Sequence, residues 1–291
     1  MKNYTIGNDQ LEVVITSKGA EILSIHNKET GLDYIWNADP AFWPKTSPVL
    51  FPVVGGLKDN TYFYEGNAYQ LTRHGFARDN EYEISQQDAG SITFSLKANE
   101  ELQKLYPFNF EFHVKHEVKG NTLSITYFVK NNDTKNLLFS VGAHPAFNVP
   151  LVEGTDFTDY YLQFSETENA GRYRIADDGL IETTATPYLN NTNKLPLTKD
   201  LFYTDALVFK ELKSNSISIL SDKTKHGLKV QFDHFPYMGI WNFKDANFVC
   251  IEPWCGLGDT ANTTQQLQEK EGINVLPTGE TFNRTWSVQV F

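Results

Sequence analysis

Cysteine is scarce: Cys250 and Cys255 are the only two in 291 residues. That excludes a disulfide framework, and a single C-x4-C without a second pair is a poor zinc pattern. Two reduced thiols packed near a strand end is the plainer reading. No apolar run approaches the roughly 20 residues of a membrane-spanning helix. The start, Met1-Lys2-Asn3-Tyr4-Thr5, leads into alternating sequence and not into an apolar stretch. No signal peptide is read there, and a cytoplasmic location is expected. Positive charge is in deficit, with 25 Lys and Arg against 36 Asp and Glu, a formal net charge of −11. A field of that sign repels polyanions, so neither nucleic acid nor a membrane surface is an expected partner. Linkers rich in Pro, Gly or Ser are missing, as is any fixed-period repeat, which argues against a propeller or solenoid. Residues 1–291 are expected to form one domain, a size that large β folds reach. P-loop, H-E-x-x-H, G-x-S-x-G and complete G-x-G-x-x-G patterns are absent, and Gly256-Leu257-Gly258 lacks both the third glycine and a following helix.

What the chain has is alternation. Phe108, Phe110, Phe112, Val114 and Val118 share one parity, against Asn109, Glu111, His113, Lys115 and Lys119 on the other. That pattern predicts a half-buried antiparallel strand. Leu123, Ile125 and Tyr127 continue it beyond a turn at Gly120-Asn121. Similar runs at 11–16, 21–26, 91–96, 160–164, 216–220, 228–232 and 285–291 are separated by Asn, Asp, Gly and Lys. The one clear helical stretch is short, from Asn99 to Leu105, and stops before Pro107. These features predict an all-β chain, a large antiparallel β-sandwich with a few short helices. The polar segment 183–199 reads as a long surface loop near the site.

Three segments carry candidate chemistry. In Cys250-Ile251-Glu252-Pro253-Trp254-Cys255, the residue before proline is held extended, and Pro253 suits a strand end or edge. Glu252 and Trp254 share a parity. A carboxyl beside an indole is partly desolvated, which raises its pKa and makes it a better general base near neutrality. In Gly142-Ala143-His144-Pro145-Ala146-Phe147-Asn148, a second pre-proline residue, His144, offers an imidazole that titrates within reach of neutral pH. One histidine and one glutamate suffice for concerted acid/base work on a neutral substrate. In Arg73-His74-Gly75-Phe76-Ala77-Arg78, two arginines flank His74 and suit a hydroxyl-rich or phosphorylated ligand. Each has a plainer reading: an edge glutamate, a bonded core histidine, a loop salt-bridged to Asp79. Taken singly, those would be favoured. His116 lies on the phenylalanine parity and is expected in the core. His113 lies on the solvent parity, and His26, His226 and His234 receive no role. Trp36, Trp43, Trp241, Trp254, Phe147 and Tyr237 offer flat faces of the kind that suit sugar rings, although most are expected in the core.

In order and spacing, these segments resemble the aldose 1-epimerase (galactose mutarotase-like) family, in particular its LacX-like branch, related to hexose-6-phosphate mutarotases. Phe51-Pro52-Val53-Val54-Gly55 and Phe202-Tyr203-Thr204-Asp205-Ala206-Leu207 complete the set, which covers essentially the whole chain. The resemblance implies a β-supersandwich with a sugar cleft on one concave face. It implies Glu252 as general base, His144 as general acid, His74 as a second histidine holding the sugar and Asp205 as a ligand of ring hydroxyls. Galactose mutarotases carry arginines in the loop after the position of Gly55. Here that loop reads Gly56-Leu57-Lys58-Asp59-Asn60, with Lys58 its only base, so Arg73 or Arg78 is expected to take over. Trp254 completes the expected substrate-binding set. The expected reaction interconverts α and β anomers of a hexose and moves only protons, so neither metal nor other cofactor is expected. The alternatives are a hexose-6-phosphate mutarotase, a non-catalytic sugar-binding protein on the same fold, and an oxygenase holding a metal between His74, His144 and Glu252. The sequence assigns no oligomeric state.

Overall fold

The computed structural model describes residues 1–291, with 22 strands, one α-helix (Glu100–Leu105) and five short 3-10 turns. It is a large antiparallel β-sandwich, and every extended ladder is antiparallel. One layer is a nine-stranded sheet. Its strands run, in spatial order, Thr186–Pro196, Tyr160–Arg172, Ser216–Ser221, Thr224–Gln231, Thr281–Val290, Thr122–Asn131, Phe110–Lys119, Ser91–Lys97 and Glu83–Gln87. Facing it is a six-stranded sheet ordered Leu207–Phe209, Tyr237–Trp241, Phe248–Cys255, Val141–Ala143 and Val49–Leu50, with Ala146–Asn148 also paired to Phe248–Cys255. A three-stranded sheet (Asn3–Gly7, Leu11–Thr16, Ile22–Asn27) and two hairpin-sized pairs complete it. No helix is long and apolar enough to cross a membrane.

The sandwich follows from parity. Along Phe110–Lys119, buried and half-buried residues alternate, as the sequence predicts for a strand with one face on a core. Phe110, Phe112, Val114, Ile125, Trp286 and Val288 of the large sheet share that core with Met238, Ile240, Val249 and Ile251 of the smaller one. Phe51, next to Val49–Leu50, stacks on Phe112 with ring centroids 4.4 Å apart. Burying each such side chain stabilises the fold by about 1.5–3 kcal/mol. His116 is bonded within this core, Nε2 lying 3.1 Å from the Ala20 carbonyl oxygen. The short helix has Asn99 as its N-cap, whose side chain accepts the Leu102 N–H.

Two expectations fail here. Segment 183–199 is not an irregular loop, because Thr186–Pro196 forms the edge strand of the large sheet. Both faces of that strand are largely exposed. It therefore needs no apolar alternation, and its register shifts against Tyr160–Arg172 further break the period. Pro253 is at neither a strand end nor an edge; it lies inside Phe248–Cys255, between two neighbouring strands. The sheet accommodates it at a gap. On one side Ala146–Asn148 pairs with residues 248–250 and Val141–Gly142 pairs with 254–255. Residues 251–253 face the interruption that contains His144. The missing N–H of proline thus falls where the ladder is already broken.

Candidate active site

The outer face of the six-stranded sheet holds the candidate site. Val249, Ile251 and Cys255 turn into the sandwich core. The opposite parity, Cys250, Glu252 and Trp254, turns to the other side, as do Gly239 and Trp241 on the neighbouring strand. Gly239 pairs with Glu252, and Gly142 pairs with Trp254. The glycines matter sterically. A Cβ on Gly239 would stand 2.4 Å from the Trp254 ring, and one on Gly142 would stand 2.7 Å from it. Two missing side chains therefore make the bed on which the indole lies beside Glu252.

Over this face opens a cavity of about 240 Å³, lined by Trp43, Arg73, His74, Arg78, His144, Asp205, Trp241, Glu252 and Trp254, with backbone from Gly55, Gly56, Gly179 and Gly258. All seven residues singled out in the sequence (Glu252, His144, His74, Asp205, Arg73, Arg78 and Trp254) lie on this one cavity. His144 Nε2 and Glu252 Oε2 are 3.4 Å apart, and Glu252 is 2% exposed. His144 lies flat against Trp43 (centroids 4.9 Å, 27°) and edge-on to Trp241 and His74. Its Nδ1 is buried without a hydrogen-bond partner, so the ring's polar contact is the one its Nε2 makes with Glu252. The stack on Trp43 fixes the plane and favours an imidazolium by cation–π attraction.

His74 and Asp205 both have positive φ, 71° and 84°, an uncommon backbone for such residues. Each is over-determined by its surroundings. The Phe76 and Ala77 N–H groups both donate to the Phe51 carbonyl, which clamps the His74 loop onto the sheet. Asp205 accepts the N–H of Ala206 at 2.7 Å. Arg73 reaches Asp205 at 3.8 Å across the mouth, a partly exposed pair worth at most about 1 kcal/mol. Arg78 donates through Nη2 to the Arg73 carbonyl, while its buried Nε has no hydrogen-bond partner.

Burial dominates the protonation of the pair. It pushes the Glu252 carboxyl well above its ordinary value; the negative charge of Asp205 adds to this, and Arg73 and the Trp254 indole oppose it. The indole Nε1 has no fully formed hydrogen bond, so its opposition is weak. Burial also lowers His144, to about 3, helped by the positive charges of Arg78 and Arg73. Both charged forms are thus disfavoured, which favours an arrangement in which the pair shares one proton. This differs from the picture of an independently ionised glutamate and protonated histidine. The proton count is the same in Glu–COOH/His and Glu–COO⁻/HisH⁺, and moving one proton across the pair interconverts them.

His144, Cys250 and Glu252 bring one candidate ligand atom each within 4.8 Å of one another. That is a different trio from His74, His144 and Glu252, since His74 does not belong to it. Burial and the neighbouring Glu252 raise the Cys250 thiol well above its usual value, which disfavours the thiolate a metal would need.

Nothing in the chain distinguishes Trp43 and Trp241 from the other aromatics, and Ile175, Gly179 and Ile181 carry no signal of their own. Ile175 and Ile181 are bridged across a turn that reaches the cavity. Only tertiary folding brings it there, so no local signal marks it. Lys58, by contrast, does not line the cavity, whereas Arg73 and Arg78 do.

A family model described as aldose 1-epimerase matches residues 2–286. Protein LacX of Lactococcus lactis subsp. lactis, in its plasmid and chromosomal forms, is 34% identical over 292 residues, covering 97% of each chain. Among solved structures, a galactose mutarotase related enzyme from Lactobacillus acidophilus superposes with a TM-score of 0.95 at 37% identity, covering 100% of this chain and 97% of the other. A galactose mutarotase-like protein from Lactobacillus casei gives a TM-score of 0.92 at 29% identity, with both chains fully covered.

Proposed function

Since the chain belongs to the aldose 1-epimerase family, we propose that it is an isomerase that interconverts the α and β anomers of a hexose, as one domain spanning residues 1–291. The observation that carries this reading is the buried Glu252–His144 pair, 3.4 Å apart, on a tryptophan-walled cavity. Glu252 takes the proton of the C1 hydroxyl while His144 delivers one to the ring oxygen. The O–H electron pair becomes the new C=O bond and the C1–O5 pair leaves with the ring oxygen. Rotation about C1–C2 followed by the reverse steps closes the ring on the other face. Ring opening converts Glu–COO⁻/HisH⁺ into Glu–COOH/His, and closure converts it back. The pair keeps its single proton overall, so no external acid or base is consumed. His74, Asp205, Arg73 and Arg78 hold the sugar hydroxyls, and Trp254, Trp241 and Trp43 pack against its C–H faces. A non-catalytic sugar binder would have no need of a buried acid/base pair at this spacing.

The pH dependence tests the shared proton. With ordinary values, the one-proton form would prevail only between the usual glutamate and histidine pKa values. Here histidine lies low and glutamate high, so kcat/KM should stay flat through neutrality. It should fall in acid only as the pair takes a second proton, towards about 3, and fall in alkali as the Glu252 proton is lost. An alkaline limb at the ordinary histidine value, near about 6.5, would contradict a shared proton.

A second reading, a hexose 6-phosphate, is favoured by one observation: Arg78, whose Nε has only the Asp79 carboxylate at 3.7 Å and no hydrogen bond, and Arg73 both reach the cavity. Paired guanidinium groups suit phosphate. Against it stand the net charge of −11 and Lys58, the sole base of its loop, which stays off the cavity. A free hexose such as glucose or galactose is therefore ranked first. In a comparison of kcat/KM at low and high salt, the free sugar should be the better substrate at both. A preference for the phosphate that disappears at high salt and in Arg78→Ala would reverse the ranking.

A further inference from the structure

Asp259 does not line the cavity, yet three of its walls converge on it. Its Oδ1 accepts Lys270 Nζ at 2.6 Å, with both side chains no more than 4% exposed. Its Oδ2 accepts the Lys58 N–H at 3.0 Å. Its own N–H donates to the Gly56 carbonyl, and its carbonyl accepts the Ile181 N–H, both at 2.8 Å. Nearby, the Gln265 amide donates to the carbonyls of Lys58 and Thr61. The loops meet backbone to backbone, since a Cβ on Gly55 would stand 2.5 Å from the Gly258 Cα. A buried ion pair costs desolvation, and fixing one arrangement among several is its best-attested use.

The loop held this way ends on His74. The Gly55 N–H donates to His74 Nδ1 at 3.1 Å, and the His74 N–H donates back to the Gly55 carbonyl at 2.9 Å. An N–H donor at Nδ1 requires a lone pair there, so a neutral ring carries its proton on Nε2. Burial, the first of several causes, keeps the His74 ring neutral by holding its pKa well below the usual value. We propose that Asp259 and Lys270 are positioning residues: their ion pair fixes the Gly55–Lys58 loop, which in turn fixes His74 as the Nε2–H tautomer, a donor to a sugar oxygen. The sugar rests on the mutarotase reading; the tautomer does not.

The test reads the His74 ring by ¹⁵N NMR and turnover in parallel. In the unaltered protein, Nδ1 should show the shift of an unprotonated nitrogen and Nε2 that of a protonated one. In Asp259→Ala and Lys270→Met the two shifts should converge as tautomers mix. KM should rise about tenfold with kcat changed much less, the pattern of lost binding and not of lost chemistry. The limbs of the pH profile should stay in place, because Glu252 and His144 are untouched. Asp259→Asn, which keeps an oxygen for the Lys58 N–H, should recover part of the KM. A folded Asp259→Ala protein with the Nε2–H signature and KM intact would overturn the proposal and leave the pair a stabilising role only. If that variant does not fold, Asp259→Asn takes its place, since it removes the ion pair but keeps an acceptor for the Lys58 N–H, and a fully retained His74 signature and KM there overturn the proposal as well. The tautomer readout needs no turnover. A chain that shows the expected shifts yet exchanges no anomers would sink the mutarotase reading and leave the clamp standing.

Discussion

Glu252→Gln should abolish enzymatic anomer exchange while the protein remains folded. Glutamine has the shape of a neutral carboxyl group but cannot take a proton from the C1 hydroxyl. Positioned acid/base groups contribute typically about 10²–10⁴-fold, and the upper end applies to Glu252 because no other carboxyl in the cavity lies within reach of His144. Asp205 reaches Arg73 instead. Stability should not suffer. Burial already favours the neutral form of Glu252, so the substitution removes no charge on which the fold depends, and the thermal midpoint should hold or rise. Polarimetry and thermal unfolding on the same sample check both halves. A variant that exchanges anomers at close to the normal rate would remove Glu252 from the reaction.

His144→Asn should be almost as damaging, with a different signature. In the proposed reaction the imidazole delivers the proton to the ring oxygen, so its loss should lower kcat by about 10²–10⁴-fold, or roughly 3–5 kcal/mol of barrier. KM should change little, because the proposed sugar ligands Arg73, His74 and Asp205 remain in place. Loss of the stack on Trp43 adds a modest stability cost. If KM rose and kcat stayed the same, His144 would be a binding residue and the acid would have to be sought elsewhere.

Much of this architecture is legible in the chain because burial writes a period into it. The strand beginning near Phe110 alternates so regularly that its core face can be read residue by residue, and Leu11–Thr16 is legible to its ends. The edge strand Thr186–Pro196 is not, since a strand wet on both faces carries no apolar signal. At the site, the ordered motifs point to seven residues that the fold gathers on one cavity. Their order along the chain does not reveal the two glycines under Trp254, which act by what they lack. Nor does it reveal the protonation of the pair, because the opposite shifts of Glu252 and His144 arise from enclosure by the fold. Asp259 is unremarked in sequence for the same reason. Its partners, Gly56 and Lys58, Ile181 and Lys270, come from three separate stretches.

The most direct test of the central claim is exchange NMR on the anomeric protons of a hexose at equilibrium, with and without the protein, near neutral pH. The account predicts that α-to-β exchange accelerates in proportion to protein concentration, that it survives prior dialysis against EDTA, and that Glu252→Gln returns it to the buffer rate. A hexose that binds in the cleft, seen by shifts of the tryptophan indole signals, yet exchanges its anomers no faster than in buffer would contradict it and leave a sugar-binding protein in place of an enzyme.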